Sequence, residues 1–456
     1  MRKVLVISYQ FPPCASSGVF RLLRFVKALP SKGWRPVIIT VEPGFYPSTT
    51  PIDHGLAEKF EEHRNFDVLR TRMSAGVGRI LEFLRVPGVK KRKTSLVKSS
   101  GTQSQKNISG RSGNWQRFKD FITISLMIPD KHNRWFLPGV MAATKAVKQR
   151  EIELVYAHGG PWTALLIGAF VKKITRLPLV VDFRDPWTDN PYEELHSVVR
   201  SAFNKRLERW VVTTADYVIA NTDALKELFI RKYPHLSEEK FITITNGYDE
   251  DDYIGIGEHN DKAGNGPVTI VHTGTLYSKR SPLPFLKVVA ELIKAGAIRK
   301  NEISIALIGK VDIPRMELFL KENGLENIVV LPGQISRQEA LAEVFSADIL
   351  LLLQQGTELQ IPGKLFEYIR SGKPIFAVCD VGATRDMITS NELGVAADAD
   401  DPEDIKEKFE KLFAVVRKIK RSGEAPANFH SQAAASFSSY VQTERLAAVF
   451  SRAVND

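Results

Sequence analysis

Cysteine is scarce, with Cys14 and Cys379 standing far apart in a chain of 456 residues. Two are too few for a disulfide scaffold or a four-cysteine zinc site, and such usage fits a reducing, cytoplasmic setting. Long hydrophobic runs are missing as well. The longest wholly uncharged, mostly apolar stretch, 159–171, falls short of the ~20 residues a membrane-spanning helix needs. The opening Met1-Arg2-Lys3 leads into an apolar run, 4–7, that soon meets Ser8, Gln10 and Pro12-Pro13, so no secretion signal is expected. The strand-to-helix turns hold neither a Walker loop nor a GxGxxG sequence, and no short-period repeat is visible. Acid is absent from 85–119, which carries ten basic side chains and accounts for nearly all of the net charge of +11. The basicity therefore belongs to one segment and not to the fold.

What remains is ordinary globular composition. A hydrophobic share of 43% excludes global disorder, and the length suggests two or three domains. Short β-branched runs at 3–9, 36–41, 66–70, 154–157, 179–182, 217–220 and 241–245 alternate with helix-length segments. The pattern breaks at Asn246-Gly247-Tyr248-Asp249, and 250–266 is acidic and glycine-rich without periodicity, as expected of a connection between domains. A second series follows, with strands expected at 268–272, 303–308, 328–331, 349–353 and 374–378. Helices are expected at 284–295 and 337–345, with two more at about 402–418 and 431–453. This alternation predicts an α/β chain of two Rossmann-like doubly wound parallel-sheet domains facing a central cleft. The expected boundaries are 1–247, a linker at 248–266, and 267–456, with the last helix placed to pack back on the first domain.

The densest chemical signal is the run from Thr357 to Pro374, TELQIPGKLFEYIRSGKP. It turns at Pro362-Gly363 and enters a short helix closed by Gly372 and Pro374. Unpaired N–H groups and the positive dipole end at that helix start favour a phosphate, and Lys364 adds a cation. Glu367, three residues on and on the same face, has a carboxylate able to accept hydrogen bonds from a ribose diol. A surface ion pair is the plainer reading of the same spacing.

The segments Pro362-Gly363-Lys364-Leu365-Phe366-Glu367-Tyr368 and Ser371-Gly372-Lys373-Pro374 resemble the donor-nucleotide motif of GT-B glycosyltransferases, in particular glycosyltransferase family four (group 1). The start of the chain, with Phe11-Pro12-Pro13, Ser17-Gly18 and Gly33-Trp34, is similar to that family too. So are Asp182-Phe183-Arg184-Asp185-Pro186-Trp187, Asn246-Gly247-Tyr248-Asp249 and His272-Thr273-Gly274-Thr275-Leu276-Tyr277, in the expected order over about residues 3–400.

The resemblance implies transfer of a sugar from a nucleotide diphosphate sugar, as co-substrate, to an acceptor hydroxyl, commonly with retention. No metal or other cofactor is implied, so cations and oriented N–H donors must stabilise the departing diphosphate. It places Lys279 or Arg280, after Gly274-Thr275, at the diphosphate with Lys364 close by, and Glu367 on the ribose. Arg280 offers a fork matched to phosphate, Lys279 a point charge. Many family members carry a second glutamate eight positions earlier. Here Leu359 stands there, and either Glu358 or Gln360 is left to substitute.

Gly18 opens the backbone to a ligand on the acceptor or diphosphate side. His158, after a strand end, either orients acceptor or sugar hydroxyls or is structural. Asp182, Arg184 and Asp185 read either as acceptor-lining or as an ion-pair network within the domain. Gly309, in a turn, is placed to touch phosphate or base, although turn geometry alone accounts for it. The basic segment, followed by apolar residues to 128, suits an anionic membrane surface and a polyprenyl-linked or other saccharide acceptor. A solvated insertion is the competing reading. Nucleic acid is not expected, because aromatic residues within the charge run are sparse. The function expected from these residues is a cytoplasmic, peripheral glycosyltransferase of surface polysaccharide or glycoconjugate assembly. A nucleotide-sugar epimerase and a non-catalytic binding protein of the same architecture are the alternatives.

Overall fold

The computed structural model describes residues 1–61, 65–74, 128–190, 198–256, 266–422 and 431–456. The basic segment 85–119 and the apolar residues after it up to 127 lie outside the described residues.

Two wholly parallel sheets organise the chain. The first contains β1 (Arg2–Ile7), β2 (Trp34–Val41), β3 (Asp67–Thr71), β4 (Leu154–His158), β5 (Leu179–Phe183), β6 (Tyr217–Ala220) and β7 (Phe241–Thr243), in spatial order β3-β2-β1-β4-β5-β6-β7. The second contains β8 (Val268–Thr273), β9 (Ile303–Ile308), β10 (Val329–Gly333), β11 (Ile349–Gln354), β12 (Ile375–Cys379) and β13 (Gly394–Ala397), in order β10-β9-β8-β11-β12-β13. Strands such as β4, β5, β11 and β12 are buried at every position. Burial on both faces is the condition that near-continuous apolar runs satisfy in parallel sheets.

Helices cover both faces of each sheet. Around the first sheet lie α1 (Ser17–Ala28), α2 (His54–Glu61), α3 (Phe136–Arg150), α4 (Thr163–Thr175), α5 (Val198–Thr214) and α6 (Asp223–Lys232). Around the second lie α7 (Leu283–Lys294), α8 (Met316–Glu322), α9 (Arg337–Ser346), α10 (Lys364–Ser371), α11 (Ala383–Ser390) and α12 (Pro402–Ser422). The starts of α6 and α9 are set locally. Thr222 accepts from the Leu225 N–H at 3.1 Å, and Ser336 and Glu339 form a reciprocal capping box.

The end of the chain departs from the expected two helices. The expected helix at 431–453 is split into α13 (Ser431–Ser436) and α14 (Ser439–Asn455). Phe437 turns into the apolar cluster of the second lobe, and the Ser438 hydroxyl caps α14 by accepting from Val441 N. From there α14 packs on the first lobe, with Leu446 and Phe450 among Val4, Val6 and Trp34. Strand β13, Gly-Val-Ala-Ala, is too short and too weakly β-branched to have been expected.

The lobes are joined where Asn246 to Tyr248 passes into a 3-10 turn, Glu250–Tyr253. At the same place the chain returns. Tyr248 N–H donates to the Phe437 carbonyl at 3.1 Å and Ser439 N–H to the Tyr248 carbonyl at 2.7 Å, a short parallel bridge between outgoing and returning segments. A side chain on Gly247 would collide with the Phe437 carbonyl.

In each sheet the strand order reverses direction between two neighbours, β1 and β4 in the first, β8 and β11 in the second. Crevices at the carboxyl ends of such strands are where doubly wound sheets bind ligands. His158 ends β4, the loop before α1 follows β1, Gly274 follows β8, and residues 355–363 link β11 to α10. These four segments hold His158, Thr275, Lys279, Arg280, Glu358 and Gln360, and Gly18, Lys364 and Glu367 follow in the helices they lead into.

Candidate functional site

On the second lobe, β8 ends at Thr273 and the chain turns through Gly274 at φ +128. A side chain there would strike the Lys364 amine, so only glycine lets both the turn and the close approach exist. Lys364 opens α10, whose cap Gly363 supplies no side-chain bond to the first N–H groups. Its ammonium donates to the Thr273 carbonyl and lies 3.4 Å from His272 Nε2. The other ring nitrogen of His272 is 2.9 Å from the Leu351 carbonyl. A carbonyl only accepts, which puts the ring proton on Nδ1 and makes Nε2 the acceptor. Burial, reinforced by the Lys364 charge, keeps the His272 pKa well below its ordinary value.

The same burial, aided by the Arg280 guanidinium and opposed by Glu367, lowers the Lys364 pKa to about 7. Arg280 closes a 3-10 turn, Ser278–Arg280, with its guanidinium 5.6 Å from the Tyr277 ring. Its Nε is buried without a hydrogen-bond partner among the described residues. Lys279 runs its stem past Gly356, and Thr275 is exposed at the turn. Gly309, at the end of β9, donates its N–H to the Gly333 carbonyl and packs against the Gly274 backbone. Lys364, Arg280 and Glu367 thus share one corner of the cleft, with Gly309 behind it.

Glu367 is half-buried, its side chain 18% exposed, and its Oε1 sits 3.0 Å from Arg337 Nη2. The same nitrogen donates to Asp252 in the connecting turn at 2.9 Å. The guanidinium also lies 5.6 Å from the Phe20 ring on α1.

On the first lobe, Arg184 projects across the loop before α1. A side chain on Gly18 would collide with its guanidinium, and Gly160 lies against the other amino group. Arg184 Nε pairs with Asp185 at 2.9 Å. His158 is fully inside, 2% exposed, and its Nε2 has no hydrogen-bond partner among the described residues. Burial lowers its pKa to about 4 in spite of Asp182, so it is neutral at physiological pH.

Asp182 takes the second of its two readings, an ion-pair network within the domain: it faces inward, wholly buried. Arg21 grips both carboxylate oxygens, at 3.0 and 3.2 Å, and the Tyr156 hydroxyl donates at 2.5 Å. Arg21 also reaches Asn221, Asn246 and the Ile244 carbonyl. This network knits β5, β6 and α1 together and leaves the carboxylate little capacity for a ligand.

The two sides meet at the segment that differs from the family pattern. Gln360 Nε2 donates across the cleft to Asp185 Oδ1 at 2.7 Å, and Thr222 donates to the Leu359 carbonyl at 2.7 Å. Glu358 is exposed, and its carbonyl accepts from Ala383 N–H at 2.8 Å. Of the two candidates for the displaced glutamate, Gln360 makes the contact across the cleft.

Sequence reading missed Arg21, His272 and Arg337. Arg21 did carry a signal, a charge on the otherwise apolar face of α1 that includes Leu22 and Phe25. Arg337 carried none, because its partners lie in the connecting turn and on another helix.

Two Rossmann-like units opposed across a cleft, with cations from the second unit at its mouth, define the GT-B class. The model described as Glycosyltransferase Family 4 matches residues 111–252, and that of Glycosyl transferases group 1 matches 267–414, together well over half of the chain. The chain is a GT-B glycosyltransferase related to glycosyltransferase family 4 and group 1. No curated protein sequence matches it. Among solved structures it is similar to HepE of Anabaena in complex with UDP, at 15% identity and TM-score 0.60 over 99% of this chain and 100% of that one. It is also similar to a glycosyltransferase from Rickettsia africae (14%, TM-score 0.60, 100% and 99% covered). A third is the N-terminal domain of Candida albicans trehalose-6-phosphate phosphatase (12%, TM-score 0.64, 99% and 97% covered). At these identities the likeness concerns the fold. Among the described residues no group of three or more His, Cys, Asp or Glu is placed to hold a metal ion. No helix among them is long and apolar enough to cross a membrane.

Proposed function

We propose that the protein moves a glycosyl group from a nucleoside diphosphate sugar to a hydroxyl of a polyprenyl-linked or other saccharide acceptor, with retention at the anomeric carbon. The observation that carries this reading is the Lys364 ammonium held against the glycine turn after β8, at the start of α10, beside Arg280. Two cations at a helix start suit the charge that grows on a diphosphate as its bond to the sugar breaks. Lys279 adds a third cation on the same turn.

Residues 267–456 form the donor side in this reading, with Glu367 on the ribose and Gly309 lining the diphosphate corner. Residues 1–247 form the acceptor side, where Gly18, Arg184 and Asp185 border the pocket. Neutral His158, its Nε2 unpartnered, hydrogen-bonds a sugar or acceptor hydroxyl. Asp182 serves by holding Arg21 and, through it, the loop ends of β6 and β7. Gln360 takes the place of the displaced glutamate. The bound UDP of the Anabaena relative supports a nucleotide ligand.

Action in surface polysaccharide or glycoconjugate assembly, at the inner face of the cell membrane through residues 85–128, completes the proposal. Calorimetry with UDP and GDP tests the donor side. Binding of neither nucleotide refutes it. Transfer from the matching nucleotide sugar to an added acceptor, with an unchanged anomeric configuration by NMR, tests the rest.

A further inference from the structure

The charged cluster at the junction of the lobes assigns a role to a residue outside the donor motif. Four ionic side chains from four separate elements meet there: Arg24 on α1, Asp252 in the connecting turn, Arg337 at the start of α9 and Glu367 on α10. Arg337 is the common member. Its Nη2 lies 3.0 Å from Glu367 Oε1 and 2.9 Å from Asp252 Oδ2, while its guanidinium sits 5.6 Å from the Phe20 ring. Although burial works against its charge, Glu367 and Asp252 hold the Arg337 pKa above its ordinary value. Arg24 donates to the Gly247 carbonyl and faces Asp252 and Glu367 from the first lobe.

We propose that Arg337 is a positioning residue of the donor site, fixing the Glu367 carboxylate for ribose recognition and anchoring it to the connecting turn through Asp252. The inference rests on the reading of Glu367 as the ribose-holding acid. A free glutamate side chain has three torsions to immobilise when it binds a diol, and ordering it beforehand removes that cost. A carboxylate has about four lone-pair sites, so a pair with one guanidinium nitrogen leaves acceptor capacity for two hydroxyls. Because Arg337 is planar and its donors are set at fixed angles, one side chain can hold two carboxylates in a defined relation, which a lysine point charge does only loosely. The Phe20 ring restricts the guanidinium from the first lobe, so the orientation of Glu367 depends on both lobes and the turn between them.

The test compares the affinity of a nucleoside diphosphate with that of its 2′,3′-dideoxy form, using the tighter of UDP and GDP by calorimetry on the full chain. The ratio of the two affinities reports ribose recognition and is insensitive to a general loosening of the site. For the unmutated protein we expect a preference of about tenfold or more for the ribose form, the size of one or two hydrogen bonds to a charged acceptor. Glu367→Ala should reduce that preference to near one. Arg337→Ala should reduce it at least about threefold, Arg337→Lys should restore part of it, and pyrophosphate affinity should stay the same in all three.

Equal losses for both nucleotide forms in Arg337→Ala, or an unchanged ratio, overturn the proposal. If Glu367→Ala itself keeps the preference, the ribose assignment fails and this inference falls with it. If only Arg337→Ala keeps it, the ribose assignment stands and the positioning role is wrong. Failure of the unmutated chain to bind either nucleotide overturns both.

Discussion

Gln360 of the second lobe donates its amide to Asp185 of the first at 2.7 Å. The contact spans the cleft one position past Leu359, where the family pattern would lead one to look for an acid. A glutamate side chain there would face Asp185 as a like charge, which is costly at such separation. Replacing Gln360 by Glu should therefore open the cleft and raise the donor KM several-fold. Small-angle scattering reads the first effect as an increased radius of gyration, and initial-rate kinetics reads the second. No change in either would deny the contact a part in closure.

On the proposed reading, Lys364 should make nucleotide binding depend on pH. Its amine has a pKa of about 7 in the free protein, so it is about half protonated at neutral pH. A bound diphosphate favours the charged form and raises that pKa. Protons are therefore taken up on binding, and affinity falls as pH climbs from about 6 to 9. Calorimetry in buffers of different ionisation enthalpy near pH 7 should show uptake of about half a proton per nucleotide. Lys364→Arg, always charged, should bind without that uptake. Identical proton exchange in both proteins would refute the assignment.

Gly274 should not tolerate even a methyl group. Its φ of +128 disfavours any other residue, and the added carbon would displace the Lys364 amine. Gly274→Ala should lose nucleotide binding by at least about tenfold, equivalent to one charge-assisted hydrogen bond, while the far-ultraviolet dichroism spectrum stays unchanged. Wild-type affinity in this variant would show that Lys364 need not sit against the turn.

The Arg21–Asp182 pair is a stability element. Asp182→Ala leaves a buried guanidinium without its counter-charge, and such losses cost about 3–5 kcal/mol. Chemical denaturation should record a destabilisation of that order in the first lobe. The conservative Asp182→Asn should lose less, because an amide can still accept from Arg21. A neutral effect of both would indicate that the network has other means of satisfying Arg21.

Much of this architecture was legible from periodicity alone. Largely apolar runs such as 349–353 and 179–182 are buried throughout, so each reads as a strand whatever its neighbours are. Lys364 and Glu367 were visible because three-residue spacing on a helix fixes their relation locally. The partners that decide what those side chains do were not. Arg337 and Asp252 lie 85 positions apart and Arg21 and Asp182 lie 161 apart, and linear spacing carries no information about such meetings. For Asp182 an ion-pair network was one of the two readings left open, and what stayed hidden was its partner, Arg21 on α1. The break at Phe437 was hidden because its flanks, Ser431–Ser436 and Ser439–Asn455, are each acceptable helix. Only the demand of the second lobe for that ring interrupts them.

The parallel bridge between Tyr248 and Ser438 gives the molecule a paired pivot. Both passages of the chain between the lobes are fastened to each other there, so swinging motion about their common line leaves either sheet intact, whereas sliding or twisting would have to tear Tyr248 from Phe437 and Ser439.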